Sequence, residues 1–104
     1  SIRKENHSRN VCIFAYGELD RSPTGSGISA RAALHYAKGE LKTGVQINIE
    51  SILGTTMNVS ISEITQYGPF EAVIPEVSGQ SFFTGKNEFW FDPEDPLKKG
   101  FIFR

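Results

Sequence analysis

Cysteine, histidine and methionine are scarce in this 104-residue chain, which holds one Cys, two His and one Met. A lone cysteine cannot close an internal disulfide, and one Cys with two His is too few for a Cys/His zinc site. Neither staples nor metal can substitute for a packed core. Long apolar runs are missing too. No window approaches the roughly 18 uninterrupted apolar residues of a membrane span, and no short apolar run follows a basic start as in a signal peptide. A soluble, cytoplasmic chain with no membrane partner is expected. Net charge is only −1, from 11 basic and 12 acidic residues. Binding nucleic-acid phosphates calls for a basic surface, so no nucleic-acid partner is expected either. What is present is an apolar share of 38%, enough for a core, at the length of one domain or part of one. The chain begins at Ser1 and its sole methionine is Met57, which suggests a piece of something longer.

Residues 1–10 hold almost nothing apolar after Ile2 and are expected to form a polar lead-in, a loop or frayed edge. Val11 to Tyr16 is a continuous apolar run, the pattern of a strand buried on both faces. Ile28 to Lys38 is Ala-rich, free of Pro and Gly, and stops at Gly39, which suits a helix C-cap. It is the one convincing helix. Beyond Gly44 the chain reads as strand and turn. Val45, Ile47 and Ile49 alternate with polar residues, as do Met57, Val59 and Ile61, until Ile64 breaks phase and suggests a bulge. Tyr67-Gly68-Pro69 is a turn into a strand from Phe70, which Pro75 should cut or place at an edge. Ser81 to Thr84 and Glu88 to Phe91 flank Gly85-Lys86-Asn87 as a hairpin. Asp92 to Pro96 is a rigid acidic loop, and Phe101 to Arg104 a short final strand or tail. Residues 1–42 carry seven basic and four acidic residues, the remainder four and eight, which places positive charge with the helix and the loop before it.

That loop, Asp20-Arg21-Ser22-Pro23-Thr24-Gly25-Ser26-Gly27, leads straight into the helix. The first amides of a helix lack intrahelical partners and carry partial positive charge, and glycines there let a carboxylate or phosphate approach the backbone. The same residues also suit a plain role, with Thr24 or Ser26 capping the helix and the glycines serving the turn. A dinucleotide fingerprint competes: Gly25 to Ala30 fits G-x-G-x-x-A, and Glu50 ends a strand where a ribose-binding acid would sit. Eight residues, including Pro23, separate Tyr16 from Gly25, whereas that motif turns directly after its strand. No second strand-helix unit follows to build a parallel sheet.

The run Asn10 to Ala15, then Asp20 to Gly27, Glu50-Ser51-Ile52-Leu53-Gly54, Val73 to Gly79, Thr84-Gly85 and Asp92 to Leu97 together resemble the proline racemase family. That family also contains hydroxyproline epimerases and trans-3-hydroxy-L-proline dehydratases. The resemblance runs from about Asn10 to Arg104 and matches the C-terminal part of a member. It implies an α+β fold, one diaminopimelate-epimerase-like half in which mostly antiparallel or mixed strands wrap around one central Ala-rich helix, and residues 1–104 as an incomplete domain. It implies an imino acid substrate, proline or hydroxyproline, held between this half and an N-terminal half, with no cofactor and no metal. Carried over by position, Asp20 pairs with the ring ammonium and the amides of Gly25 and Ser26 contact the carboxylate. A turn-forming role for Asp20 before Ser22-Pro23 is the plain alternative.

Where family members have two Cys facing the Cα hydrogen, one thiolate removes the proton and the other thiol returns one to the opposite face. Thr24 stands at the second Cys position. An aliphatic hydroxyl is a far weaker acid than a thiol of pKa about 8.5, which disfavours two-base racemisation. The pattern resembles the dehydratase branch: a base in the other half takes the Cα proton, and the 3-hydroxyl leaves as water with Thr24 orienting it, giving pyrroline-2-carboxylate. The isolated chain is expected to be inactive. The alternatives are a proline racemase or 4-hydroxyproline epimerase, and a carboxylate-binding module without catalysis. Uncovered strand edges would also let two copies pair as a homodimer. Cys12 reads as a small buried hydrophobe, and His7 and His35 lack ligand partners. Arg21 and Arg31 add positive potential near the helix start. Phe82, Phe83, Phe89, Trp90 and Phe91 could stack bases, but at hairpin spacing they read as cross-strand core pairs.

Overall fold

The computed structural model describes residues 1–103. Along the chain come β1 (Ser8–Arg9), β2 (Ile13–Phe14), β3 (Glu18–Leu19), α1 (Gly25–Ala37), β4 (Ile47–Glu50), β5 (Thr56–Tyr67) and β6 (Phe70–Ser78). Strands β1, β4, β5 and β6 form one mixed sheet in that order, with β1 parallel to β4 and the other pairs antiparallel. β2 and β3 make a separate hairpin. The class is α+β.

Alternation lays Ile49, Val59 and Ile61 on one sheet face, where Ile28 and Ala32 of α1 and Leu41 cover them to form the buried core. The helix starts three residues before Ile28, because the Ile28 amide donates to the Thr24 carbonyl at 2.9 Å and closes a first turn through the glycines. It ends where expected. Gly39 takes a φ of +73°, its amide bonds the Tyr36 carbonyl, and the Glu40 amide reaches His35, the paired contacts of a Schellman motif. Only one face of α1 is packed, since Ala30, Ala33, Leu34 and Ala37 stay exposed. Among the described residues, strands do not wrap the helix.

The phase break is a register shift between Ile61 and Glu63 in the β5–β6 ladder, with the intervening Ser62 Oγ donating to the Ile74 carbonyl at 3.0 Å. Pro75 sits opposite Ile61 on the outer strand β6. An edge position tolerates its missing N–H, so the strand continues. The β5–β6 turn has Gly68 at φ +57°, the positive value that a two-residue hairpin loop needs at its first central position.

Three expectations fail. The polar lead-in is neither loose nor frayed, because Glu50 collects it. The Arg3 amide and Asn6 Nδ2 donate to Glu50 Oε1 at 2.9 and 2.7 Å, and Arg9 Nη2 donates to Oε2 at 2.7 Å. The His7 amide bonds the Asn48 carbonyl, the Asn10 amide that of Glu50, and Arg31 reaches Ser8 Oγ and the Arg9 carbonyl. His7 and His35 meet edge to face at 5.0 Å, and His35 Nδ1 lies 2.6 Å from Glu40 Oε2. The Glu50 side chain is 1% exposed. Asn6, then the Arg3 amide and Arg9, hold its carboxyl down at about 2.

Val11 to Tyr16 is not a buried strand. Only Ile13–Phe14 pair, in the small hairpin, and Val11, Ile13, Phe14 and Tyr16 are exposed while Cys12 is half-buried. Nor do residues 81–91 form a hairpin: they lack strand pairing, and Phe82, Phe83, Phe89, Trp90 and Phe91 are exposed. A two-stranded ribbon needs a third strand or another surface to hold it, and the aromatic side chains of this segment stay exposed. Asp92 and Asp95 each accept a backbone amide two residues on, so the acidic segment is a pair of tight turns. Phe101 to Phe103 take no strand conformation, and Arg104 lies outside the described residues.

Candidate active site at the start of the helix

The residues from Asp20 to Thr24 close on themselves. Asp20 Oδ1 accepts the Ser22 amide at 2.8 Å, Asp20 Oδ2 accepts the Thr24 hydroxyl at 2.8 Å, and Ser22 Oγ accepts the Thr24 amide at 3.0 Å. The first contact is the turn anticipated as the plain role for Asp20. The same carboxylate also reaches Thr24. The Ser22 amide foremost, then Thr24, lowers the Asp20 carboxyl below its ordinary 3.8. The group is an anion at neutral pH.

Thr24 is the residue before α1, at φ +67° and ψ 106°. Positive φ at a β-branched residue is an outlier that costs about 1–3 kcal/mol unless its surroundings enforce it. Its side chain does not cap the helix. This removes the capping role that the sequence allowed it. Helix geometry leaves the amides of Gly25, Ser26 and Gly27 without intrahelical acceptors, and no acidic side chain lies in the first turn. The positive end of the helix dipole is thus available to an anion. A Cβ on residue 27 would meet Asn10 Nδ2 at 2.9 Å, so a larger residue there would displace the Asn10 side chain.

Beside the loop opens a cleft of about 930 Å³ lined by Asp20, Arg21, Ser22, Thr55, Met57 and Phe82, among others. Of the four site residues that the resemblance implies, Asp20 lines this cleft. Thr24 joins it through Asp20, while Gly25 and Ser26 follow as the first helical residues, half-buried and exposed respectively. Met57 reaches from β5 toward both ends of the region, its side chain lying near where Cβ atoms of Gly25 and Gly79 would stand. Sequence reasoning missed Asn10 and Met57 as neighbours of the site, because Asn10 arrives from the segment just after β1 and Met57 from β5. The run Asn10 to Ala15 marked Asn10 without showing its contact.

Glu50 cannot serve a ribose. Its carboxylate is buried and already accepts three donors, and Gly25 and Gly27 lie within α1 instead of in a turn leaving a strand. No three His, Cys, Asp or Glu side chains gather among the described residues. No described helix is long and apolar enough to cross a membrane.

Known proteins are similar to this chain in sequence and in fold. The chain is 52% identical over its whole length to a trans-3-hydroxy-L-proline dehydratase of Colwellia psychrerythraea, and spans 29% of that protein. It is 50% identical over 92% of its length to a proline racemase of Clostridioides difficile, again spanning 29%. A solved hydroxyproline epimerase from Agrobacterium vitis, with bound trans-4-hydroxy-L-proline, superposes with a TM-score of 0.75 at 35% identity, over 91% of this chain and 27% of that one. The proline racemase family model matches residues 1–102. The chain belongs to the proline racemase family.

Proposed function

We propose that this chain supplies one half-site of a trans-3-hydroxy-L-proline dehydratase. The carrying observation is the hydrogen bond from Thr24 to Asp20 at the mouth of α1, where a racemase of this family would place a thiol. Three functions meet there. The unpartnered amides of Gly25 and Ser26 hold the substrate carboxylate. Asp20, anionic and with lone pairs left over, accepts the ring ammonium. Thr24 spends its one proton on Asp20, so its oxygen lone pairs are free to receive and orient the 3-hydroxyl.

Thr24 is no base in this setting. Its proton lies against a carboxylate, and removing it would set two anions 2.8 Å apart. The Cα proton is therefore taken by a base outside this span. Its electron pair forms the C2–C3 double bond as the C3–O bond breaks, the same base passes the proton it took from Cα to the departing hydroxyl, which leaves as water, and the enamine tautomerises to pyrroline-2-carboxylate. The exposed stripe of Ala30, Ala33, Leu34 and Ala37 supports the central-helix reading of α1. In that reading, strands from the rest of the protein cover this face and complete a diaminopimelate-epimerase-like half.

Epimerase or racemase activity is the second reading, favoured by the 50% identity to a racemase and the likeness to an epimerase structure. Incubating full-length protein with each imino acid in D2O separates them. Pyrroline formation from trans-3-hydroxy-L-proline is expected. Cα exchange with inversion, in its absence, would establish the second reading instead. Thr24→Val is expected to lower dehydration on the order of 100-fold, the scale of a lost orientation at the reacting group.

A further inference from the structure

The peptide unit joining Pro23 to Thr24 is held at both of its polar ends by side chains. Asn10 Nδ2 donates to the Pro23 carbonyl at 2.7 Å, and Ser22 Oγ accepts the Thr24 amide at 3.0 Å. A trans peptide is a rigid plane, so fixing its oxygen and its hydrogen fixes its rotation about the chain. That rotation sets φ of Thr24, and Thr24 stands at +67°, a value its branched side chain opposes. Neither holder is loose. Asn10 is anchored by its own amide to the Glu50 carbonyl, and its Nδ2 lies 2.9 Å from where a Cβ on Gly27 would stand. Ser22 is tied by its amide to Asp20, and Pro23 is fully buried.

We propose that Asn10 and Ser22 are positioning residues that clamp the Pro23–Thr24 peptide and so keep the Thr24 hydroxyl on Asp20. This inference rests on Thr24 serving the reaction. Released from the clamp, Thr24 relaxes toward negative φ, and its hydroxyl swings away from the carboxylate. The two holders come from opposite sides. Ser22 lines the cleft, whereas Asn10 lies on the β1 side and reaches Thr24 only through the Pro23 carbonyl.

The test uses the full-length protein and steady-state turnover of trans-3-hydroxy-L-proline. Ser22→Ala removes the acceptor, and Asn10→Asp replaces the donor with an oxygen at constant shape. Each is expected to lower kcat about tenfold, the scale of one lost hydrogen bond, with KM changed less than about twofold. The double variant should fall no further than either single, since both act on one plane. Ser22→Thr, which keeps the γ-oxygen, should recover most of the rate. A crystal structure of Ser22→Ala should show Thr24 out of the positive-φ region. Wild-type kcat in either single variant, or losses that multiply in the double, would overturn the clamp. Should Asn10→Asp not fold, Ser22→Ala with its Thr rescue decides alone. Thr24→Val distinguishes the two levels: full turnover there removes the role of Thr24 and the clamp with it, while a loss there with unaffected Ser22→Ala and Asn10→Asp removes the clamp alone.

Discussion

The carboxylates of Asp20 and Glu50 are both held anionic, and for opposite purposes. Asp20 keeps acceptor capacity beside the cleft, so Asp20→Asn in the full-length protein is expected to raise KM for the imino acid on the order of tenfold or more, the scale of a lost charge-assisted hydrogen bond. Unchanged KM would leave Asp20 only its turn. Glu50 is saturated and structural. Its folded value of about 2 lies below the ordinary 4.5. A depressed carboxylate contributes stability that is complete above the unfolded value and is lost as pH falls through the folded one. Acid should therefore loosen the arm between about pH 4.5 and 2, and Glu50→Gln should flatten this part of the pH–stability curve. The loop from Asp20 to Ser26 stood out in the sequence because it is one continuous segment before the helix, while the roles given to Asp20, Thr24, Gly25 and Ser26 came from the resemblance. The burial of Glu50 was not legible there: strand alternation assigned it the polar side of β4, and nothing local revealed that Arg3, Asn6 and Arg9 would bury it.

Elements legible in the sequence are those whose partners lie within this span. The helix, its Gly39 stop, the bulge after Ile61 and the edge position of Pro75 all follow from local propensity and one internal sheet. Gly39 also gives a direct test. At φ +73° an added Cβ is strained although nothing else lies within 4 Å, so Gly39→Ala should destabilise by about 1 kcal/mol, read from urea unfolding. The apolar run at Val11 and the aromatic segment at Phe82 misled for the same physical reason: hydrophobic pattern states that a residue wants cover, not where the cover is. The docked arm carries a second titration. Burial, then His35 and Arg31, lowers His7 below 6.5. Its neutral form is the folded one, so protection of the His7 and Asn10 amides against hydrogen exchange should weaken as pH falls below about 6.5.

At the scale of the whole molecule, the Cα radius of gyration is 19.0 Å, against about 13 Å for a compact domain of this length. The β5–β6 arm projects past the core, with Tyr67 and Phe70 exposed at its tip, and the aromatic segment lies open. The purified 104-residue chain is therefore expected to self-associate, bind a dye specific for apolar surface and show no turnover. A monomeric elution volume with no dye binding would contradict this. One local feature reaches furthest beyond this molecule. The start of α1 is closed without a side-chain cap from residue 24, so the helix itself places no demand on hydroxyl or thiol there. On the proposed reading of the site, exchanging one for the other would change the reaction from inverting a stereocentre to expelling water while leaving the helix start as it is.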